Sequence, residues 1–487
     1  MEEKTAGQLL AENLSFELKT CWEHITREDA TKIEQFADNY KKFIDKGKTE
    51  REFTAQCLEI LERKGFIDIE NLLLEEKRKE MAPGSKIYLN IKGKSVIFAV
   101  LGKKPLSAGV NIVGAHVDSP RIDLKTNPLY EDGGFALFDT HYYGGIKHYQ
   151  WTTIPLAMHG VIFTKDGEKR DICIGENEDD PVFVITDLLP HLAQDQMQKK
   201  ASEFFRGEDL DVLAGSKPYL DENVKEKVKL TILSILNERY GVTEEAFASA
   251  EIEFVPAVKA RDIGLDRSLI GAYGHDDRSC AFTAFWAALD FAEGDAPEKT
   301  VVCYLSDKEE IGSMGNTGAE SRQFENFIAF LCAQFACATS VYAPSSDIDT
   351  RVVLSKSAML SADVNAAFDP SFADVWDKKT ASYCGKGIVL SKYTGRGGKY
   401  GGSDASAEFC WKVQNILSKN GVQWQFGNLG KVDKGGGGTI AYRIANLGVD
   451  VLDCGIPVLS MHAPFEIISK VDLWTTYRGY LAFLKDC

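Results

Sequence analysis

From residue 256 to the end of this 487-residue chain, short apolar runs alternate with stretches of helical period, and that alternation narrows the possible folds more than any other feature. The runs are TVVCYLS, AMLSADV and VDVLDCGI. The helical stretches are AFTAFWAALDFAEG, SRQFENFIAFLCAQF, SDASAEFCWKVQNILSKNG and TIAYRIANLG. Strands that alternate with helices predict an α/β layered sandwich with a largely parallel central sheet. No repeat of fixed period interrupts the pattern.

Upstream the character differs. Residues 1 to about 85 are charged and helix-periodic, with one helix ending at Gly47 and KTEREFTAQCLEILERKGF repeating the style. From Lys86, KIYLNIKGKSVIFAVLGKK reads as strands around a Gly-centred turn, and VNIVGAHVDSP is a short apolar run broken by Gly, Ser and Pro. Residues 122–255 begin rich in aromatics, Thr and Gly, as β-hairpins are, and continue through polar loops and a surface helix. The expected organisation is therefore a discontinuous main domain, 1–121 and 256–487, with an inserted β-rich second domain at 122–255.

A hydrophobic share of 44% supplies a large core. Lys and Arg total 56 against 72 Asp and Glu, a net charge of −16, which repels phosphate backbones and anionic membrane surfaces. Neither nucleic acid nor a membrane is an expected partner. The 11 cysteines are scattered, so most read as small core residues rather than a disulfide framework or zinc knuckle. The longest apolar run, Phe327–Ala338, is too short to span a bilayer and reads as a buried helix. With no basic-then-apolar leader at the N-terminus, the expected location is cytoplasmic.

Common catalytic signatures are missing. There is no HExxH and no GxSxG. Gly47-Lys48-Thr49 and Gly93-Lys94-Ser95 end like phosphate loops but lack the upstream Gly. The run Gly435–Gly438 before a helix expected at Thr439 suits either an anion on free N–H groups or a tight backbone approach.

What remains is a set of His, Asp and Glu residues placed just past strand-like runs: His116 and Asp118, Glu309 and Glu310, Asp363, His462, and Asp276 at the opening of a helix. Ligands of parallel α/β sheets gather outside the carboxyl ends of strands, so these distant segments can share a crevice. Each alone has an ordinary structural reading; Asp276, for example, suits an N-cap. Together, two imidazoles and three or more carboxylates without thiolate suit Zn²⁺, Mn²⁺ or Co²⁺. A pair of ions needs a bridging carboxylate. Of the neighbours Glu309 and Glu310, one can bind metal while the other takes a proton from water. Asp118 can orient the His116 ring or bind backbone before Ser119-Pro120.

The segments GAHVDSPR, YGHDDRSC, SDKEEIGS, MLSADVN and GGGGTIAYRIANLGVDVLDCGIPVLSMHAPFE resemble, in order and spacing, the metallopeptidase family of aspartyl aminopeptidase and vacuolar aminopeptidase I. The resemblance covers nearly the whole chain. It implies a zinc exopeptidase-like α/β domain and two zinc ions per subunit, with Mn²⁺ or Co²⁺ as substitutes. It further implies an inserted lid and oligomerisation domain, a homo-oligomer that in the family is a dodecamer, and peptide substrates trimmed one N-terminal residue at a time. By matching motif, His116 and Asp363 would bind one ion, Glu310 and His462 the other, and Asp276 would bridge them. Glu309 would be the general base and Asp118 would support His116. His191, in LPHLAQ, matches a histidine that reaches a neighbouring subunit's site. On the substrate side, Lys392 by alignment, or Arg396 or Lys399 by charge, would meet an acidic side chain, and Tyr400 would hydrogen-bond substrate. The chain departs from the aspartyl type at Ala366 and Asp369, where that type carries histidines, and leans to the vacuolar aminopeptidase I-like subtype. Other dinuclear hydrolases (dipeptidase, carboxypeptidase, deacylase) and a catalytically silent scaffold are the competing readings.

Overall fold

A computed structural model describes residues 4–74, 81–334 and 346–487. Its largest sheet has nine strands, in the order Ile67–Asp68, Lys86–Ile91, Ser95–Val100, Val301–Ser306, Asn111–His116, Ala358–Ser361, Asp450–Gly455, Ile388–Ser391 and Trp424–Phe426. The four strands from Val301–Ser306 to Asp450–Gly455 run parallel. The sheet is mixed because hairpin and return connections set three of its pairings antiparallel: 86–91 with 95–100, 95–100 with 301–306, and 388–391 with 450–455.

Alternation along the central strands sends side chains into two separate cores. Val113, Ala115, Cys303, Leu305 and Leu360 face one core, shared with helices Arg27–Lys46, Glu50–Arg63, His275–Phe291, Ala407–Lys419 and Lys470–Asp486. Ile112, Val302, Tyr304, Met359 and Val451 face the other, with helices Gln323–Gln334, Ser346–Ser355 and Ala441–Ala445. Both faces of the central strands are apolar, as parallel strands covered on each side require. The helix read at Phe327–Ala338 is realised as Gln323–Gln334, and 335–338 lie outside the described residues. Among the described residues no helix is long and apolar enough to cross a membrane.

A second sheet has seven strands, all antiparallel, between Arg121 and Pro256, with a core of its own around Phe138, Trp151, Ile162 and Phe254. A third, of five strands, includes Leu269–Ala272, Pro457–Leu459 and Glu466–Ser469, and Pro457–Leu459 follows directly on the carboxyl end of the central strand Asp450–Gly455.

Two segments that end like phosphate loops have other work. Thr49 caps helix Glu50–Arg63: its hydroxyl accepts from the Glu52 N–H at 3.3 Å and the Glu52 carboxylate accepts from the Thr49 N–H at 3.2 Å. Gly93 sits in the hairpin turn that closes Lys94 N–H onto Ile91 O at 3.1 Å. Thr49→Ala is expected to lower stability by about 1 kcal/mol through loss of the cap, read as a lower urea midpoint at unchanged slope. The helix expected from Thr439 is shorter, Ala441–Ala445. The glycines before it serve close approach, since a Cβ on Gly436 would lie 2.4 Å from Gly395 O.

Candidate metal centre

The parallel strands deliver their chemistry at one end. His116 closes strand Asn111–His116. Glu309 and Glu310 form the single turn Glu309–Ile311 after strand Val301–Ser306. Asp363 follows Ala358–Ser361 by two residues. A Cβ on Gly455 of the next strand would lie 1.9 Å from Asp363 O, so a bare backbone there lets Asp363 stay in place. His462 stands in the loop between Pro457–Leu459 and Glu466–Ser469. Asp276 enters helix His275–Phe291 with extended backbone, and no side chain caps that helix, so the N-cap reading of Asp276 gives way.

These segments meet. One Asp276 oxygen lies 3.3 Å from His116 Nε2 and the other 3.2 Å from His462 Nε2. Glu310 Oε2 is 3.4 Å from the same His462 nitrogen, and Glu309 Oε2 is 3.9 Å from His116 Nε2. Donor atoms of His116, Asp276 and Asp363 lie within 4.8 Å of one another, as do those of Asp276, Glu310 and His462. Asp276 belongs to both groups, between the two rings.

The ring nitrogens on the far sides are spoken for. His116 Nδ1 donates to Asp118 O at 3.0 Å, and His462 Nδ1 donates to Gly145 O at 2.8 Å. The Asp118 carboxylate accepts from Glu309 N–H at 3.0 Å, Glu310 N–H at 3.2 Å and Tyr143 Oη–H at 2.9 Å. It thus holds both glutamates as well as lying 3.3 Å from the ring, and the backbone it binds is theirs rather than that of the turn before Ser119-Pro120. Glu466, not singled out as a site residue from the sequence, accepts from Asp276 N–H at 3.0 Å and His462 N–H at 2.6 Å. Asp277 accepts from His116 N–H at 3.3 Å. The nearest sequence signals were the PFE that ends LSMHAPFE and the second Asp of HDD.

Charge is the strain in this site. Burial, then Asp276, push the Glu310 carboxyl well above its ordinary value. Burial pushes Glu309 up to about 7 and Glu466 up to about 8. Burial opposes a charged ring at His462, but the Glu310 and Asp276 carboxylates overturn it and hold the ring at about 11. Buried Glu310 Oε1 has no hydrogen-bond partner. With both Nδ1 atoms donating to carbonyls, each Nε2 faces carboxylate oxygens. Two acceptors at that separation need a positive charge, supplied by a ring proton or by a cation. The donor set, imidazole and carboxylate without thiolate, fits zinc with open positions for water and substrate.

Beside this cluster a cavity of about 380 Å³ opens past Ser391, Tyr393, Lys399 and Asn428. Lys392 and Tyr400 are not among its lining residues. Lys392 sits between two that are, and alternation turns it away, onto Asp404 at 2.9 Å and Ala405 O at 2.8 Å. Tyr400 is 80% exposed. Lys399 reaches the wall but is paired to Asp404 at 2.8 Å. His191 is exposed in the turn Pro190–Leu192, away from this lining.

A family model described as aminopeptidase I zinc metalloprotease (M18) matches residues 43–484. A Clostridium acetobutylicum protein described as a probable M18 family aminopeptidase 1 is 48% identical over 473 residues, covering 96% of this chain and 98% of the relative. The crystal structure of an M18 aminopeptidase from Thermotoga maritima superposes with a TM-score of 0.90 at 45% identity, covering 97% of this chain and 100% of that one. An aminopeptidase 1 dodecamer from S. cerevisiae, 21% identical, shares the fold with a TM-score of 0.71 over 93% of this chain and 97% of that one.

Proposed function

Because this chain belongs to the M18 family of zinc aminopeptidases and is a metalloaminopeptidase, we propose that it removes single N-terminal residues from peptides with two zinc ions per subunit and Glu309 as general base. The observation that carries this reading is Asp276, with one oxygen 3.3 Å from His116 and the other 3.2 Å from His462. His116 and Asp363 would hold one ion, Glu310 and His462 the other, and Asp276 would serve both. Held there, zinc would supply Lewis acidity, lowering the pKa of a bound water toward ~7 and polarising the scissile carbonyl.

The chain's own residues do the rest. Glu309 takes the proton of the attacking water and returns it to the leaving amine. Asp118 holds the Glu309 and Glu310 backbone and the His116 ring in one geometry. The carboxylates gathered on the cavity wall favour the substrate's free ammonium group, which accounts for exopeptidase action. The cavity past Tyr393 and Asn428 takes the first side chain.

We read the helices on either side of the nine-stranded sheet as a layered sandwich built from 1–121 and 256–487. Residues 122–255 are then the lid and assembly unit of a cytoplasmic homo-oligomer, a dodecamer like the yeast relative, in which His191 reaches a neighbouring site. Lys392 and Tyr400 take part in substrate binding only if their loop turns toward the cavity.

Elemental analysis with a substrate panel tests the activity. Two zinc ions per chain, cleavage of free-amine peptides, rejection of N-blocked ones and loss of activity with chelator are expected. Cleavage of blocked peptides overturns the aminopeptidase assignment. Zinc loading is also expected to expel protons near neutral pH, at least one per ion, since each ion replaces a proton that the carboxylates hold on a ring and the Glu310 and Asp363 carboxyls are themselves raised by burial. The sign follows: apparent zinc affinity rises with pH. Calorimetry in buffers of different ionisation heat measures the release.

A further inference from the structure

Helix Glu50–Arg63 meets the seven-stranded sheet at side chains that take no part in the centre above. Strands Leu156–Phe163 and Lys169–Ile174 pair antiparallel with His159 directly opposite Cys173, so imidazole and thiol share a face. From the helix, Glu52 brings Oε1 to 2.7 Å from His159 Nδ1. Glu52 Oε2 accepts from the N–H groups of Lys48 and Thr49 at 3.1 and 3.2 Å, which fixes the carboxylate. On the other side of the ring, Glu176 Oε1 lies 3.1 Å from Nε2, and its charge is offset by Lys48 at 2.6 Å and Lys259 at 2.9 Å. Donor atoms of Glu52, His159 and Cys173 lie within 4.8 Å of one another. His159 is 2% exposed, whereas Cys173 is exposed and leaves a way in from solvent.

We propose that Glu52, His159 and Cys173 form a second cation site, for a thiophilic divalent ion such as Zn²⁺ or Cd²⁺, separate from the hydrolytic centre. Thiolate, imidazole and carboxylate are zinc ligands, and three of them leave a fourth position for water. The thiolate selects against Mg²⁺ and Ca²⁺. Glu176 plays the part of the carboxylate that accepts the far N–H of a ligating imidazole: it fixes the tautomer and turns Nδ1 toward the ion. On binding, the ion takes the place of the Nδ1 and thiol protons, which leave to solvent. An ion held there joins the helix to two strands more than a hundred residues away, so it stabilises the folded chain.

The centre formed by His116 and His462 has no thiol among its donor atoms, so of the two centres only the second gives a thiolate-to-cadmium charge-transfer band. Among the described residues Cys173 is the one exposed cysteine, the others being buried or half-buried. Enzyme loaded with zinc to two ions per chain, which fills the hydrolytic centre and leaves the second site free, is expected on titration with CdCl₂ to develop the band to a single ion per chain and to melt at a higher temperature. Cys173→Ser abolishes both changes and leaves basal peptidase activity unchanged. Glu52→Gln weakens cadmium binding by about 10-fold or more. A band that persists at full amplitude in Cys173→Ser overturns the proposal, as does the absence of a band in the unaltered chain. Neither result bears on peptide hydrolysis, which is measured in the same samples.

Discussion

Glu309→Gln lowers kcat by roughly 10²–10⁴-fold while zinc content stays as it was. The carboxylate is half-buried beside the centre, with Oε2 3.9 Å from His116 Nε2, and its backbone N–H is pinned to Asp118 at 3.0 Å. Glutamine keeps the volume and the backbone contact but cannot accept a proton. Its neighbour Glu310, closer to His462, keeps its place in the ligand set. The loss therefore appears in turnover rather than in substrate affinity or metal. Steady-state kinetics beside elemental analysis make the measurement. Full turnover in the variant removes Glu309 from the proton-transfer role. Loss of zinc together with turnover reassigns it as a ligand.

Asp276→Asn empties the centre and reduces peptidase activity to the uncatalysed background. Asp276 is the carboxylate with one oxygen toward each imidazole, and it belongs to both donor groups. An amide offers one weak oxygen and a donor NH₂ in place of two anionic oxygens, so it cannot serve both ions at once. The deficit is felt twice, unlike a change at Asp363, which belongs to a single donor group. Because the substitution also removes one negative charge from a buried carboxylate cluster, the chain is expected to stay folded, which circular dichroism checks. Retention of two zinc ions by the variant rules out the bridging role.

How far the sequence led can be judged residue by residue. His116, Asp276, Glu309, Glu310, Asp363 and His462 were all legible because each sits in a short motif just past an apolar run, and parallel strands place such positions at one end of a sheet. The helix end at Gly47 was equally local. Glu466 was read only as the end of a motif, since its partners are defined by a loop that turns back on itself and by Asp276, 190 residues away. Gly145, whose carbonyl holds the His462 ring across 317 residues, carried no signal of any kind. The sequence singled out Lys392, whereas its neighbours Ser391 and Tyr393 line the cavity, because a shift of one position along an extended segment reverses which side chain faces it.

The sequence by itself determined the class of fold, the family and the group of acids and imidazoles that gather, because hydrophobic periodicity and motif spacing are properties of neighbouring residues. Only the tertiary structure decided which carboxylate stands between the two rings, which backbone groups orient them, and that Glu52, His159 and Cys173 meet at a second place. Those facts depend on angles and distances between segments brought together by packing, where a displacement of an ångström separates a ligand from a bystander.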